Sequence, residues 1–293
     1  MIAMLTDPLM QRALLVALAV GLTAPVVGTY LVQRRMALMG DGIGHVALAG
    51  VAAGWLARTG ADFAGRDDLA IPGAIVFSIT AAVVIEIMRE RGTTGADVVM
   101  AIFFYGGIAT GVLLMAIAGG SGSTLLAYLF GSISTVTWGD VQSSVILAGV
   151  ILALGLGMRP ALFSVSHDPE FARSTGLPVR GLNIVVAILA AITITVSMRV
   201  VGVLLVSGLM IVPVAIAQVN ARSFGRTMNT AMAIGATVCL TGLSITYWWD
   251  LQPGALIVVL TISLYALVAI THAVRSEFAR KRPPSSIGNN QST

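Results

Sequence analysis

The stretch Met36–Trp55 reads MALMGDGIGHVALAGVAAGW. It is long and apolar enough for a membrane helix, yet it carries Asp41 and His45 four residues apart. Residues at positions i and i+4 lie on one face of an α-helix, so a carboxylate and an imidazole can address one point in space. An ionisable side chain inside a bilayer costs about 2.5–3.5 kcal/mol on insertion scales and usually faces a bundle interior or a cavity. The stretch therefore predicts a membrane helix with a polar site on an inward face.

The composition extends this prediction to the whole chain. Of its 293 residues, 57% are hydrophobic and 10% are charged, and the mean hydropathy is +0.93. Soluble domains are about 25% charged. We predict an all-α, polytopic integral membrane helical bundle formed by residues 1–274, followed by a basic, disordered cytoplasmic tail at 275–293. The expected spans are 11–32, 37–57, 71–88, 98–118, 140–158, 181–197, 199–219, 227–247 and 254–273.

Nine spans are expected, and eight is the alternative because the split near Met198–Val200 is the weakest boundary. Leu125–Trp138 is too short and polar to span and predicts an interfacial or re-entrant segment. The sequence begins without a basic region and cleavage site typical of a secretory signal. The single cysteine, Cys239, lies in an apolar setting that indicates a packed core thiol.

The basic residues predict the orientation, because cytoplasmic loops are enriched in Lys and Arg. With the C-terminus inside, only Arg12, Arg58, Arg66 and Arg199 of the 17 basic residues fall outside. The inner side receives Arg34, Arg35, Arg89, Arg91, Arg159, Arg173, Arg180, Arg222, Arg226, Arg275, Arg280, Lys281 and Arg282. The N-terminus is therefore predicted outside, in a cytoplasmic membrane. This orientation accounts for the basic pI of about 9.7 without a nucleic-acid partner.

The longest predicted inner loop, Arg159–Arg180, contains a short helix signal. Asp168 before Pro169 fits an N-cap followed by proline in the first turn, and Gly176 followed by Pro178 fits a helix end. Such a helix either docks a soluble partner or simply closes the loop. The candidate docking residues are Asp168, Pro169, Glu170, Phe171, Ala172, Arg173 and Gly176.

The Asp41/His45 pair is the candidate metal site. Imidazole and carboxylate suit zinc, and manganese accepts the same groups. Taken singly, Asp41 could be a buried hydrogen-bonding group and His45 a satisfied core histidine. One chain offers two ligands, and a two-fold homodimer with these helices facing the axis would offer four. We expect a transported Zn²⁺ or Mn²⁺, with Fe²⁺ as an alternative, and no permanently bound cofactor.

Other residues predict structure or weaker sites. Gly40 and Gly44 reduce the bulk beside the pair and, with Pro213 in the seventh span, are candidate hinge or kink positions. Three acids in the outer loop 57–70, Asp62, Asp67 and Asp68, could attract cations but are more typical of a solvated loop.

Neither ATP hydrolysis nor proteolysis is supported by the sequence. The only lysine is Lys281, so the chain contains no GxxxxGK[ST] phosphate loop, and any ATP hydrolysis must come from another polypeptide. Gly119–Gly122 reads GGSG and resembles a serine-protease motif, with His272 as a candidate base. The predicted topology places Ser121 and His272 about 30 Å apart, across the hydrocarbon core, which excludes a nucleophile–base pair.

Four blocks resemble the permease subunits of bacterial zinc/manganese ABC importers: RRMALMGDGIGHVALAGVA (34–52), AYLFGSISTVT (127–137), DPEFARSTGLPV (168–179) and VVGVLLVSGLMIVPVAIA (200–217). The acidic-then-histidine pair of that family falls on Asp41 and His45. Gly44 is a departure, because Ser or Ala commonly precedes this histidine.

The resemblance implies a homodimeric permease in the lipid bilayer, two cytoplasmic ABC ATPase subunits and an extracytoplasmic metal-binding protein. It also implies that Asp41 and His45 lie on the metal path and that Asp168–Gly176 is the coupling helix. The alternatives are a permease for iron or for iron or cobalt complexes, and a stand-alone secondary metal transporter.

Overall fold

The computed structural model describes residues 6–60, 69–92, 95–119, 122–133, 136–198, 200–221, 223–249 and 251–280. All regular structure in these residues is α-helical, which confirms the predicted fold class. The helices are α1 Pro8–Gln33, α2 Met39–Gly60, α3 Ala70–Arg91, α4 Ala96–Ile117, α5 Gly122–Phe130, α6 Trp138–Gly157, α7 Arg159–His167, α8 Pro169–Ser174, α9 Val179–Ser197, α10 Val203–Asn220, α11 Phe224–Thr246 and α12 Pro253–Arg280.

Nine of these helices have 18 or more residues and coincide with the nine predicted spans. Eight are long and apolar enough to cross a membrane. The remaining one is α2, whose hydropathy is lowered by Asp41, His45 and its glycines. The protein is therefore a multi-pass membrane protein. The predicted boundary at residue 274 falls inside α12, which continues to Arg280, and residues 281–293 lie outside the described part.

Contacts between helix ends define two ends of the bundle. At the end that we call the α8 end, Gln33 Nε2 lies 2.7 Å from His167 Nδ1, and Arg180 Nε donates to Glu90 at 2.7 Å. At the opposite end, the far end, one cavity is lined by residues from the start of α1, the end of α11 and the start of α12. These contacts agree with the predicted alternation for the helices that they join.

The doubtful split between the sixth and seventh spans is a real turn at the far end. Gly202 has φ +87°, a left-handed conformation that glycine adopts without strain, and α10 begins only after it. A Cβ on Gly202 would lie 2.3 Å from the carbonyl oxygen of Leu129 in α5. The short helix α5 therefore packs on this turn, in agreement with the prediction that Leu125–Trp138 does not span.

Helix α2 packs against α3, α4, α9 and α10. Glycines allow this close packing, because small residues let helix backbones approach in lipid. A Cβ on Gly50 would lie 2.5 Å from the Gly73 carbonyl oxygen of α3, and a Cβ on Gly107 of α4 would lie 2.7 Å from the backbone of His45. The polar stretch of the sequence is therefore enclosed by the apolar helices around it.

Candidate metal site

Asp41 and His45 both lie in the first two turns of α2, in the half of the bundle nearer to the α8 end. A carboxylate in the first turn is stabilised by the positive end of the helix dipole. The two residues are one helical turn apart, and the charge of Asp41 acts on the imidazole. The structure therefore places the predicted pair on one helix, close together.

His45 is enclosed almost completely by its own chain. The side chain is 2% exposed, and its ring meets the ring of Phe104 edge-on, with 4.5 Å between centroids. Its Nδ1 is buried and has no hydrogen-bond partner among the described residues. A buried polar group left unpaired costs about 1–3 kcal/mol. A satisfied core histidine would have a partner, so this ring nitrogen remains available to a ligand.

Asp41 is half-buried, and its carboxylate makes no hydrogen bond or ion pair within the described part of the chain. Nor does any group of three or more His, Cys, Asp or Glu side chains in that part stand close enough together to hold a metal ion. One chain therefore supplies one oxygen ligand and one nitrogen ligand at this place. Such a set leaves the other coordination positions of a cation to water, backbone oxygens or a second chain.

The glycines beside the pair contact neighbouring helices. A Cβ on Gly40 would lie 3.3 Å from Ser207 Cβ, and one on Gly44 would lie 3.1 Å from Val203 Cγ1, both in α10. Gly40 and Gly44 thus form the contact of α2 with α10. Helix α2 is continuous through both residues, and α10 is continuous through the buried Pro213. Their role as hinge or kink positions stays a prediction.

A buried carboxylate near the pair was missed by the sequence analysis. Glu86 of α3 is fully buried, and its Oε1 accepts from Arg34 Nη2 at 2.8 Å and from Arg89 Nη2 at 2.7 Å. Arg34 is the C-cap residue of α1, five residues before α2 begins. An acid inside the predicted span 71–88, followed by Arg89 three residues later, was the available signal. This cluster fixes the connection that leads into α2.

The predicted short helix is present as α8. The Asp168 side chain accepts from the backbone N–H groups of Glu170 and Phe171 at 3.1 and 3.0 Å, and Gly176 follows the helix with φ +81°. Phe171 is 60% exposed, whereas Ala172 is buried against the bundle. Asp168, Pro169, Glu170 and Arg173 are exposed. The helix therefore presents an apolar side chain among charges, a pattern typical of a protein-binding surface.

The preceding helix α7 was not predicted. Its signal was Pro160 in the first turn, followed by a mostly apolar run of which Leu162 and Val165 are buried. His167 at its end pairs with Gln33, which ties α7 to the end of α1. This arrangement fixes the position of α8 at the α8 end of the bundle.

The remaining candidate sites are not assembled by the described residues. Ser121 and the acids Asp62, Asp67 and Asp68 lie outside them. His272 lies near the end of α12, exposed and at the α8 end. Cys239 is buried and free, as expected for a core thiol.

Comparisons with known proteins agree with the fold and with the resemblance in sequence. Manganese import system permease protein ScaB of Streptococcus parasanguinis is 32% identical over 261 residues, which cover 89% of both chains. Chelated iron transport system membrane protein YfeD of Yersinia pestis is 30% identical and covers 94% of this chain and 90% of its own. A chain of the solved structure of PsaBC from Streptococcus pneumoniae in complex with Fab superposes with a TM-score of 0.79 at 30% identity, over 92% of this chain and 95% of that chain. The model of the ABC 3 transport family matches residues 6–272. This chain therefore belongs to the ABC 3 transport family.

Proposed function

We propose that this chain is the permease subunit of an ABC importer that takes up divalent transition-metal ions, with Mn²⁺ as the principal cargo. The observation that carries the proposal is the buried, unpaired Nδ1 of His45 beside the unpaired carboxylate of Asp41. Membership of an ABC transport family and the similarity to ScaB, a manganese import permease, support the same reading. A carboxylate and an imidazole together suit Mn²⁺, and they also accept Zn²⁺ or Fe²⁺.

The ion enters at the far end, which faces outward, and reaches the pair in the α8 half of the bundle. Asp41 supplies an oxygen and His45 a nitrogen, and together they replace part of the lost hydration. Two protein ligands bind the ion weakly, which suits a transit site, because a site that binds too tightly does not conduct. A second permease copy contributes further ligands only if α4 moves, since in this conformation α4 of the same chain covers His45.

Energy comes from a separate cytoplasmic ABC ATPase, because the chain has no phosphate-binding loop. The exposed face of α8 with Phe171 is the docking surface for that subunit. A metal-binding protein on the outer side delivers the ion, and the permease acts as a homodimer. Movement of α8 with the ATPase opens the path toward the cytoplasm and releases the ion.

Transport of an iron chelate is the second candidate, since the similar protein YfeD is named for chelated iron. The surroundings of His45 favour a bare ion over a chelate. The side chain is only 2% exposed, and Phe104 and the close approach of Gly107 leave it no wide channel.

The test is uptake of radioactive Mn²⁺ by cells that express the permease with its ATPase and its donor protein. We expect Asp41→Ala and His45→Ala to reduce uptake to the level of cells without the permease, while the complex still assembles. Asp97→Ala is the matched control for the carboxylate, because Asp97 also lies in the first turn of a membrane helix but is exposed. His272→Ala, on the exposed part of α12, is the control for the imidazole. Normal uptake by both site variants would refute the assignment of the site.

A further inference from the structure

The α8 end of the bundle contains a cavity of about 570 Å³ between α8, the last turn of α3 and the start of α9. Its lining includes three arginines and a single acid: Arg89, Arg173, Arg180 and Glu90. The remaining lining residues are uncharged. The cavity is therefore strongly electropositive and selects for negatively charged groups.

The arginines of the cavity are incompletely neutralised. Arg180 Nε donates to Glu90 at 2.7 Å, and one Nη of Arg89 donates to Glu86. The Nε of Arg89 is buried and has no partner among the residues that the structure describes. Arg173 is exposed and has no ion pair among the described residues. One carboxylate inside the cavity thus faces three guanidinium groups, and there is room for a second carboxylate.

We propose that this cavity binds a carboxylate side chain of the cytoplasmic ABC ATPase. This carboxylate replaces Glu90 as the ion-pair partner of Arg180. The inference rests on the proposed function, which supplies the partner. Charge complementarity identifies the chemistry, because guanidinium forks recognise carboxylates bidentately. Continuity with α8 identifies the partner, since Arg173 and Pro169 belong both to the cavity lining and to the proposed docking helix.

The Arg180–Glu90 pair has the properties of a bond that can be exchanged. The side chain of Arg180 is 77% exposed, whereas that of Glu90 is 14% exposed, so solvent screens this pair mainly at the arginine. By contrast, Glu86 four residues earlier on α3 is fully buried between Arg34 and Arg89. An incoming carboxylate can therefore reach the exposed guanidinium of Arg180 in competition with Glu90, and it leaves the Glu86 cluster intact.

The exchange bears on the metal site through α3. Residues 86 and 90 are one helical turn apart on the same face of α3. Glu90 binds Arg180 of α9, and Glu86 binds Arg34, which precedes α2. Ile85 of α3 lies beside Gly42, the neighbour of Asp41. Release of Glu90 thus removes one of the two ion-pair contacts at the end of α3 that lies beside the first turn of α2.

The experiment measures the affinity of the purified ATPase for the purified permease in detergent. Arg173→Gln and Arg180→Gln are each expected to weaken binding about fivefold at low salt, with a smaller effect at high salt. Glu90→Gln is expected to tighten binding, because it removes the internal competitor. Arg275→Gln is the matched control, because Arg275 is exposed on α12 at the same end, outside the cavity, and is expected to leave affinity unchanged.

Weaker or unchanged binding by Glu90→Gln would overturn the proposal, as would equal losses in Arg180→Gln and Arg275→Gln. The same series in nanodiscs with and without phosphatidylglycerol separates a lipid from a protein occupant. If the arginine effects appear only with phosphatidylglycerol, the cavity binds a lipid headgroup and the proposal is wrong. If the wild-type permease binds no ATPase at all, the proposed function itself fails. If the wild type binds the ATPase and transports the ion, but all variants have the same affinity for the ATPase, only this inference is refuted.

Discussion

Two buried polar groups on neighbouring helices of this bundle differ in whether the protein provides them with charged partners. On α3, Glu86 is fully buried and accepts charge-assisted hydrogen bonds from two arginines. On α2, His45 is buried to nearly the same degree, but its Nδ1 has no partner in the described part of the chain. The bundle thus neutralises the charge of Glu86 with its own arginines and leaves Nδ1 of His45 free to bind a ligand.

The difference separates a structural cluster from a candidate binding site. A buried charge without a partner is so costly that Glu86 must keep its arginines for the fold to persist. A neutral imidazole without a partner costs much less, so the fold can tolerate it where a ligand uses it. Burial alone identifies neither role, and the presence of two ion-pair partners at Glu86 distinguishes it from His45.

The largest effect on stability is expected at the structural cluster. Glu86→Ala leaves Arg34 and Arg89 without their carboxylate, and removal of one partner from a buried ion pair costs about 3–5 kcal/mol. Glu90→Ala is the control four residues away, because the only ion-pair partner of Glu90 among the described residues is Arg180, whose side chain is 77% exposed, and we expect a loss of about 1 kcal/mol there. Unfolding of the purified variants in detergent measures both values. Equal losses in the two variants would remove the distinction between the two carboxylates.

An intermediate effect is expected where α4 packs on His45. In Gly107→Ala the new Cβ would lie 2.7 Å from the His45 carbonyl carbon, so α4 must move away. Overpacking of this kind costs about 1–3 kcal/mol, and we expect Mn²⁺ uptake to fall with it. The neighbouring Gly106→Ala places its Cβ in open space and serves as the control. Unfolding in detergent and uptake in cells check both variants, and a stable, active Gly107→Ala protein would contradict the close approach.

The smallest effect on stability is expected at the candidate site. His45→Leu removes an unpaired polar ring and retains an apolar side chain, so we expect a change below about 1 kcal/mol. The same variant is expected to lose Mn²⁺ uptake. A large loss of stability on thermal unfolding would show that His45 has a structural partner and would place it in the same class as Glu86.

Much of the fold follows from local sequence patterns. The nine long helices, the N-cap at Asp168 and the end of α8 at Gly176 were predictable, because a bilayer demands long apolar helices and because capping chemistry acts within a few residues. The helix α7 was missed, because its nine residues are too few for a clear period. Gly40 and Gly44 were expected to reduce the bulk beside the pair, and only the structure shows that both face α10.

The amino-acid order alone was sufficient to predict a multi-pass helical bundle, to place Asp41 and His45 on one helix face and to exclude a phosphate loop, because these properties depend on composition and on spacing within one helix. Only the folded structure shows that Phe104 and Gly107 enclose His45, that Glu86 is held by Arg34 and that three arginines share one cavity. The residues brought together in this way are up to 91 positions apart, from Arg89 to Arg180. These contacts depend on which helices pack together and on how each is rotated, which no local pattern encodes.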